Sequence, residues 1–275
     1  KMTVKLIALD MDGTTLNNEG KISGRNRKTL EKAAAKGVNI VIATGRPRSA
    51  LPKDVLEIGA IRYALTSNGA RITDLAEGKT IYENCMSPLA AERSVELLRN
   101  YHYVIECFID GVAYIDKWYY DEVKQSGESF RSVSYILNTR NPVEDIYQFI
   151  LEHRNSIENI NINFEDISEK PAMRERLLTI PEATITSSFN HNLEIGGATT
   201  SKADALEHMC QIFGVGQDEM MAVGDSPNDI AMLKASGIPV AVGNAKDEVK
   251  AVARYIAPTN QEDGVADAIE KFVLG

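Results

Sequence analysis

The sequence predicts an α/β protein in which an α+β domain is inserted into a doubly wound parallel sheet. Near both ends of the chain, short apolar runs typical of strands buried on both faces alternate with helical segments. Between residues 86 and 190 the pattern changes to strand pairs interleaved with helices. A βα rhythm that stops and later resumes indicates one Rossmann-like core, residues 1–85 and 191–275, interrupted by an inserted domain at 86–190.

The first part of the core contains three predicted strands, at residues 4–9, 38–43 and 63–66. Ser23 is expected to cap the helix between the first two strands, and Gly37 suits the left-handed residue that ends a helix. Short β-α-β connections imply right-handed crossovers and therefore a parallel sheet. A hairpin is expected to follow in "ARITD" and "GKTIYEN".

The inserted segment is expected to form one open sheet covered by helices. The run "YVIECFIDGVAYID" predicts a hairpin with Asp110 and Gly111 at its turn, because this pair readily adopts the left-handed conformations that short hairpin turns need. Further strands are expected at "IENININ" and "ATITSSF". Helical patterns occupy residues 88–100, 142–153 and 169–178.

The βα rhythm of the core resumes at Leu193. The tripeptide "LEI" is expected to be a strand of the parallel sheet, followed by a helix at 201–213. The strands "MMAVG" and "PVAV" flank the helix "NDIAMLKAS", and a final strand and helix lie within residues 255–273.

Composition excludes several classes of protein. The 275 residues are 44% hydrophobic and 25% charged, which are ordinary values for a globular chain with room for two modest domains. The net charge of −9 and the lack of a basic stripe argue against nucleic-acid binding. The 3 cysteines form no CxxC pair, so we expect free thiols in a reducing compartment. No apolar run has the length of a membrane span and no signal-peptide pattern is present, so we expect a cytoplasmic protein that does not bind membranes.

Polar residues follow several predicted strands of the core at the point where each strand ends. In open parallel sheets, ligands bind at the carboxyl ends of the strands. Polar residues are common after strands, so each cluster alone is a weak signal. The prediction of a ligand site rests on the position that the clusters share at one edge of the sheet. The clusters are Asp10 and Asp12 after the first strand, Thr44-Gly45-Arg46 after the second, Asn68-Gly69 after the third, Asp225 and Asp229 in "GDSPND", and Lys202 at the start of a helix.

The acidic residues of these clusters predict a metal site. If Asp10, Asp12, Asp225 and Asp229 converge, repulsion and burial raise their pKa values and destabilise the fold. A hard divalent cation removes this problem, and Mg²⁺ prefers oxygen ligands. Lys202 is the lysine near these motifs and would neutralise a bound phosphate. For a single aspartate a helix N-cap or a turn is the better interpretation, but the full set favours Mg²⁺ and a phosphate ester.

The predicted chemistry assigns different roles to the two aspartates after the first strand. Mg²⁺, Lys202, the Thr44 hydroxyl and backbone N–H groups would neutralise the charge that makes a phosphate ester repel nucleophiles. A carboxylate can then attack phosphorus and form an aspartyl-phosphate. We expect Asp10, nearest the strand, to be this nucleophile. Asp12 is expected to protonate the leaving alcohol and then to activate water.

The ordered motifs "DMDGTT", "TGR", "SKADAL" and "GDSPND" resemble those of the haloacid dehalogenase superfamily of phosphatases, most closely its Cof-type branch. The stretches "TSNGARI", "MLKASGIPVAVGNA" and "EDGVADAIEKF" resemble that branch as well. The resemblance covers most of the core, whereas the insertion matches only in placement and size. It implies that the insertion is a cap domain that excludes water from the site and reads the leaving group.

The resemblance also implies roles for individual residues. Asp10 would be nucleophile and Mg²⁺ ligand, and Asp12 would be the acid/base and bind Mg²⁺ through its backbone carbonyl. Asp225 would be the second carboxylate on the metal, with Asp229 close by, bound directly or through water. The residues expected to bind phosphate or substrate are Thr44, Gly45, Arg46, Asn68, Lys202 and Asn228.

Three residues qualify these implied roles. For Arg46, an ion pair with a surface carboxylate is an equally good interpretation of its position. Ala203 and Thr15 replace a frequent glycine and a frequent leucine of the family, and we expect neither to affect activity.

The sequence therefore predicts a Mg²⁺-dependent phosphatase of small phosphorylated metabolites, with sugar phosphates as the leading substrates. A phosphomutase-type phosphotransferase shares the chemistry and stays open as an alternative. A receiver-like signalling module also uses an acidic cluster with Thr and Lys, but it has neither a counterpart of Asp12 nor an inserted cap. A catalytically silent binding protein is disfavoured because every motif is present.

Overall fold

The computed structural model describes residues 3–275, which divide into two compact units. The first unit contains Leu51–Glu83, Ser201–Gly275 and the chain up to Gly45. The second unit contains Asn84–Thr200 together with the short segment Arg46–Ala50. This unit extends beyond both ends of the insertion predicted at 86–190, and it includes a piece of chain that the sequence analysis assigned to the core.

Strands form the centre of both units. They are, in chain order, β1 (Leu6–Asp10), β2 (Asn39–Ala43), β3 (Tyr63–Thr66), β4 (Arg71–Asp74), β5 (Lys79–Glu83), β6 (Val104–Ile109), β7 (Val112–Asp116), β8 (Arg140–Val143), β9 (Ile157–Asn163), β10 (Ala183–Thr186), β11 (Asn192–Gly197), β12 (Met220–Gly224), β13 (Ile238–Ala241) and β14 (Tyr255–Ile256).

Helices connect and cover these strands. They are α1 (Gly24–Ala35), α2 (Lys53–Leu56), α3 (Pro88–Leu98), α4 (Lys117–Ser126), α5 (Val133–Thr139), α6 (Ile146–Glu152), α7 (Lys170–Leu177), α8 (Lys202–Phe213), α9 (Ile230–Ala235), α10 (Asp247–Lys250) and α11 (Gly264–Ile269). As predicted, the Ser23 side chain caps α1 by accepting a hydrogen bond from the Asn26 backbone N–H, and Gly37 follows the helix with φ +81°.

The first unit is built on a sheet in the order β14-β13-β12-β1-β2-β3-β4-β5. The pairs from β14 to β3 are parallel, and β4 and β5 add the predicted hairpin as an antiparallel edge. All five residues of β1 are buried, as a strand covered on both faces requires. The chain winds outward from β1 through β2 in one direction and from β12 through β13 in the other. The predicted doubly wound α/β fold is therefore confirmed, and its topological switch lies between β1 and β12.

The second unit contains a sheet in the order β10-β11-β9-β6-β7-β8, in which only β7 and β8 are parallel. Helices α3, α6 and α7 pack on one face of this sheet through an apolar core that includes Ile160, Ile162 and Leu193. The predicted turn of the β6–β7 hairpin is present, with φ +50° at Asp110 and +75° at Gly111.

The strand predicted from "LEI" does not belong to the parallel sheet. The structure places it in β11, which pairs antiparallel with β10 and β9 of the second sheet. Leu193 and Ile195 face the apolar core, while the polar residues Asn192 and Glu194 alternate with them. This period of two is typical of an antiparallel strand with one apolar face, and three residues are too few to reveal it. Helices α4 and α5 and strand β8 were not predicted either.

No helix within residues 3–275 is both long enough and apolar enough to cross a membrane.

A buried ion pair in the second unit gives a test of its packing. The Arg140 guanidinium donates a hydrogen bond to the Glu106 carboxylate, and each side chain is 2% exposed. Replacing Arg140 by Met leaves a buried carboxylate without its cation, so we expect the free energy of unfolding in urea to fall by about 3–5 kcal/mol.

The matched control for this substitution is Lys117→Met. It breaks the ion pair between Lys117 and Glu144, whose side chains are 46% and 82% exposed, and should change stability by about 1 kcal/mol or less. Equal effects of the two substitutions would contradict the assignment of the Arg140 pair as a buried structural contact.

Candidate active site

The carboxyl ends of four strands of the first unit meet at one edge of its sheet. In the register of the sheet, Asp10 pairs with Ala43, Ala43 pairs with Leu65, and Leu9 pairs with Val223. The segments that leave β1, β2, β3 and β12 therefore start side by side, next to the topological switch. Parallel pairing brings together polar residues that are up to about two hundred positions apart in the sequence.

Lys202 is the cation at the centre of this edge. Its Nζ lies 2.7 Å from Oδ1 of Asp10 and 2.7 Å from Oδ1 of Asp229, and its side chain is fully buried. Burial alone lowers the pKa of a lysine, but the Asp10 and Asp229 carboxylates outweigh that effect and raise the Lys202 pKa above its ordinary value. Lys202 is therefore a fixed ammonium group. Ser201 holds the start of α8, because its hydroxyl accepts a hydrogen bond from the Asp204 backbone N–H.

Three of the four predicted acidic residues form one group. Within residues 3–275, Asp10, Asp225 and Asp229 offer carboxylate oxygens that lie within 4.8 Å of one another. Burial, followed by repulsion from Asp229, raises the pKa of Asp10 well above its ordinary value, and the same two causes raise the pKa of Asp225. The Asp12 carboxylate is not part of this group, and Asp12 is partly exposed in the turn after β1.

The two aspartates that follow β12 differ in how the protein holds them. Oδ1 of Asp229 accepts from Lys202, and its Oδ2 accepts from the backbone N–H groups of Asp225 and Ser226, at 2.9 and 3.0 Å. Asp229 is thus held by an ammonium group as well as by two backbone donors. Asp225 instead accepts from two neutral hydroxyl groups, that of Thr14 at 3.0 Å on Oδ1 and that of Ser226 at 3.1 Å on Oδ2. Because the Lys202 ammonium bonds to Asp229 and Asp10, Asp225 is the better suited of the two aspartates after β12 to bind a cation directly.

The turn after β1 is anchored by residues to which the sequence analysis gave no role. The Thr15 hydroxyl donates to the Asp10 carbonyl oxygen at 2.6 Å and is fully buried. The Asn244 side chain donates to the Gly13 carbonyl oxygen at 2.8 Å. A Cβ on Gly13 would lie 2.8 Å from Oδ2 of Asp225, so a glycine is required where the turn passes this carboxylate. Thr15 thus fixes the end of β1, which carries Asp10. The position of Thr15 in the sequence did not predict this role.

The turn after β3 fixes the position of helix α8. Ser67, Asn68 and Gly69 have consecutive positive φ values of +51°, +55° and +104°. A Cβ on Gly69 would lie 2.1 Å from the Ser201 carbonyl oxygen, so only glycine allows α8 to begin here. The Asn68 side chain also accepts a hydrogen bond from Asn228 at 3.0 Å. The turn thereby connects two segments that hold Lys202 and Asp229.

The remaining predicted residues follow β2. Thr44 is buried at the end of that strand, and its backbone N–H donates to the Leu65 carbonyl oxygen at 2.9 Å. Gly45 is the last residue of this part of the first unit, whereas Arg46 belongs to the second unit. The Arg46 guanidinium donates to the Ala50 carbonyl oxygen at 3.1 Å. The structure therefore groups Arg46 with the second unit, and its predicted role in substrate binding stays a prediction.

This arrangement defines a class of protein. A doubly wound sheet that gathers buried carboxylates, an ammonium group and helix starts at its switch point is suited to an enzyme that acts on phosphate esters. A family model described as haloacid dehalogenase-like hydrolase matches residues 7–269. The chain belongs to this family and is a phosphatase, as its resemblance to the Cof-type branch implied.

Individual relatives and solved structures are similar over nearly the whole chain. The 5-amino-6-(5-phospho-D-ribitylamino)uracil phosphatase YcsE of Bacillus subtilis is 34% identical, over 98% of this chain and 96% of its own length. The enzyme of the same description from Escherichia coli, YbjI, is 30% identical over 99% of this chain and 97% of its own length. The solved structure of a haloacid dehalogenase-like hydrolase from B. subtilis has a TM-score of 0.85 at 27% identity, with 98% of this chain and 100% of that one covered.

The contact between Gly69 and Ser201 predicts that Gly69 positions the Lys202 ammonium. In Gly69→Ala the new methyl group would force the start of α8 to move, so we expect kcat for phenyl phosphate to fall roughly 10- to 100-fold, as small displacements of catalytic groups do. The measurement is steady-state kinetics combined with thermal unfolding.

The control for Gly69→Ala is Gly214→Ala at the other end of the same helix. Gly214 has φ +63° with nothing within 4 Å of an added Cβ, so this substitution strains the backbone by about 1 kcal/mol without displacing a neighbour. It should lower stability and leave kcat unchanged. A Gly69→Ala enzyme with wild-type kcat would show that Lys202 does not depend on this contact.

Proposed function

We propose that the protein is a Mg²⁺-dependent phosphomonoesterase that hydrolyses small phosphorylated metabolites through an aspartyl-phosphate on Asp10. The observation that carries this proposal is the convergence of Asp10, Asp225 and Asp229 around the buried Lys202 ammonium. Asp10 lies next to the positively charged Lys202 ammonium, is the last residue of β1, and is 5% exposed. A carboxylate held in this way is suited to attack a phosphoryl group that binds at the same edge of the sheet.

The donor set of the site fits Mg²⁺. Three carboxylates face one ammonium group, so an excess of negative charge is left, and burial together with repulsion from Asp229 raises the pKa of Asp10. Asp10 and Asp225 would hold the ion with their carboxylates, Asp12 would add its backbone carbonyl, and Asp229 would act through Lys202 or a water molecule. When bound, Mg²⁺ would supply positive charge that offsets the charge on the phosphoryl oxygens.

The first chemical step transfers the phosphoryl group to the protein. A carboxylate oxygen of Asp10 forms a bond to phosphorus while the bond from phosphorus to the ester oxygen breaks. Asp12, in its protonated form, gives its proton to the leaving alcohol. Lys202 and the Thr44 hydroxyl bind the phosphoryl oxygens and keep the group in line with Asp10.

The second step returns the protein to its starting state. Asp12, now a carboxylate, takes a proton from a water molecule as the water oxygen attacks phosphorus. The bond between phosphorus and Asp10 breaks, and inorganic phosphate leaves. The group of three carboxylates does not include Asp12, which supports a proton-transfer role for its side chain in place of a ligand role.

We propose that the substrates are phosphate esters of sugar-like or polyol chains. Two relatives, YcsE and YbjI, carry names that specify a phosphorylated ribityl chain joined to a uracil. A third relative, YbhA of E. coli, is described as a pyridoxal phosphate phosphatase and is 26% identical over 99% of this chain. These names share a small phosphorylated alcohol as substrate. They support the same class for this protein, with the sugar-like phosphates first.

The two proposed roles of the aspartates after β1 are tested by single substitutions. Asp10→Asn keeps the shape of the side chain but removes the nucleophile, so phosphate release from a panel of sugar and polyol phosphates should fall to background. Asp12→Asn should slow turnover by about 10²–10⁴-fold because acid–base assistance is lost. Normal turnover in a folded Asp10→Asn variant, checked by circular dichroism, would refute the aspartyl-phosphate mechanism.

The proposed metal ligands are tested by binding as well as by activity. EDTA should abolish phosphate release and Mg²⁺ should restore it. In addition, Mg²⁺ at about 100 times its dissociation constant should raise the free energy of unfolding by about 2.7 kcal/mol. For Asp225→Asn, the Mg²⁺ concentration that gives the same stabilisation should rise at least about tenfold. For Asp12→Asn it should stay that of the wild type, because the backbone carbonyl remains. Identical Mg²⁺ titrations for the two variants would contradict the ligand assignment.

A further inference from the structure

A cavity lies at the amino ends of the parallel strands of the first unit. Its volume is about 480 Å³, within the range of pockets that hold small organic molecules. Val4 precedes β1, Val38 precedes β2, Arg254 precedes β14, and Ile238 is the first residue of β13. The π-helical turn Glu270–Leu274 supplies a further wall. All of these residues belong to the first unit, so this unit forms the cavity by itself.

The cavity and the catalytic edge are at opposite ends of the same strands. Asp10 is the last residue of β1, whereas Val4 precedes the first residue of that strand. The stretch from Val4 to Asp10 spans about 20 Å when extended, at ~3.3 Å per residue. A small ligand in this cavity therefore does not touch the group of carboxylates around Lys202.

The cavity is lined by three cationic side chains, those of Lys36, Arg254 and Lys271. No Asp or Glu side chain of the described residues lines it, and none of the three cations forms an ion pair there. Acidic side chains outnumber basic ones by 39 to 30 in the chain, so a surface cation is expected to find a carboxylate nearby. Lys5, at the same end of the sheet, does so and lies 2.7 Å from Glu219. The cavity thus concentrates unpaired positive charge in an acidic protein.

Neutral groups hold two of these cations in place. The Lys271 ammonium lies 3.9 Å from the centre of the Tyr255 ring. The Lys36 ammonium donates to the carbonyl oxygens of Val273 and Leu274 at 3.4 and 3.5 Å. A ring or a carbonyl oxygen orients an ammonium group without cancelling its charge. Both lysines therefore keep their attraction for an anion.

The floor of the cavity is apolar. Val4, Val38 and Ile238 are buried there, and Phe272 adds a half-buried ring. An inorganic ion would contact only the cations, whereas an apolar body that carries an anionic group would also cover this floor. The charge and the floor together favour an organic anion as the ligand.

We propose that this cavity is a second binding site, which takes a small organic anion. The anionic group pairs with Lys36, Arg254 and Lys271, and the apolar body lies on the floor. Carboxylates and phosphates share the required chemistry, since both accept hydrogen bonds from guanidinium and ammonium groups. The proposal goes beyond the phosphatase function and does not depend on it, because no residue of the catalytic edge lines the cavity.

The test uses probes whose charge and apolar body vary separately. Isothermal titration calorimetry of the wild-type protein compares 2-naphthalenesulfonate, 2-naphthoate, sulfate and the neutral 2-naphthol. We expect the better of the two naphthalene anions to bind at least about tenfold more tightly than sulfate or 2-naphthol. The sulfonate has the tetrahedral shape of a phosphate group. Tighter binding of the sulfonate therefore identifies a phosphate-like ligand, and tighter binding of the naphthoate identifies a carboxylate.

The role of the cations is tested in a protein that carries both Arg254→Gln and Lys271→Gln. Both side chains are exposed, so the fold should persist. Loss of two charged hydrogen-bond donors should weaken binding of the preferred naphthalene anion roughly 10- to 100-fold. The matched control carries Lys5→Gln and Lys117→Gln, which remove the same charge from two cations that are paired with carboxylates. Its affinity should stay within about threefold of the wild type, and both proteins should keep kcat/KM for phenyl phosphate.

Four results would overturn the proposal. Equal affinities of the two double variants would place the probe outside the cavity, and sulfate bound as tightly as the naphthalene anions would remove the organic part of the ligand. The third result is that neither naphthalene anion binds at millimolar concentration. The fourth is competitive inhibition of phenyl phosphate hydrolysis at the dissociation constant of the probe, which would place it at the catalytic edge. None of these results bears on the aspartyl-phosphate mechanism, which Asp10→Asn tests separately.

Discussion

The buried ammonium of Lys202 is the interaction on which the catalytic edge depends. It lies 2.7 Å from both Asp10 and Asp229, which would otherwise be like charges in a desolvated site. Removing charges from water is unfavourable unless they are paired and hydrogen-bonded, and here the pairing is incomplete because three carboxylates face one lysine. The site therefore retains an affinity for further positive charge, which is the property that a phosphate-processing centre needs.

Close backbone approaches make this arrangement of charges possible. Lys202 reaches Asp10 because α8 begins against Gly69, where a Cβ would be 2.1 Å from the Ser201 carbonyl oxygen. Gly224 allows a similar approach, since a Cβ there would lie 2.6 Å from the Asp229 side chain. These positions lack side chains so that charged groups on neighbouring segments can come together. The local backbone is thus constrained by the electrostatics of the site rather than by the packing of the core.

The sequence was informative wherever a short-range pattern determines the structure. Continuous apolar runs predicted β1, β2 and β12, and parallel pairing then required Asp10, Thr44 and Asp225 to share an edge. It was uninformative where the structure depends on contacts between distant positions. The assignment of "LEI" to the wrong sheet is one example, because strand pairing is decided by neighbours that three residues do not identify. The anchoring of Asp10 by Thr15 is another, since a hydroxyl after an aspartate has many possible partners.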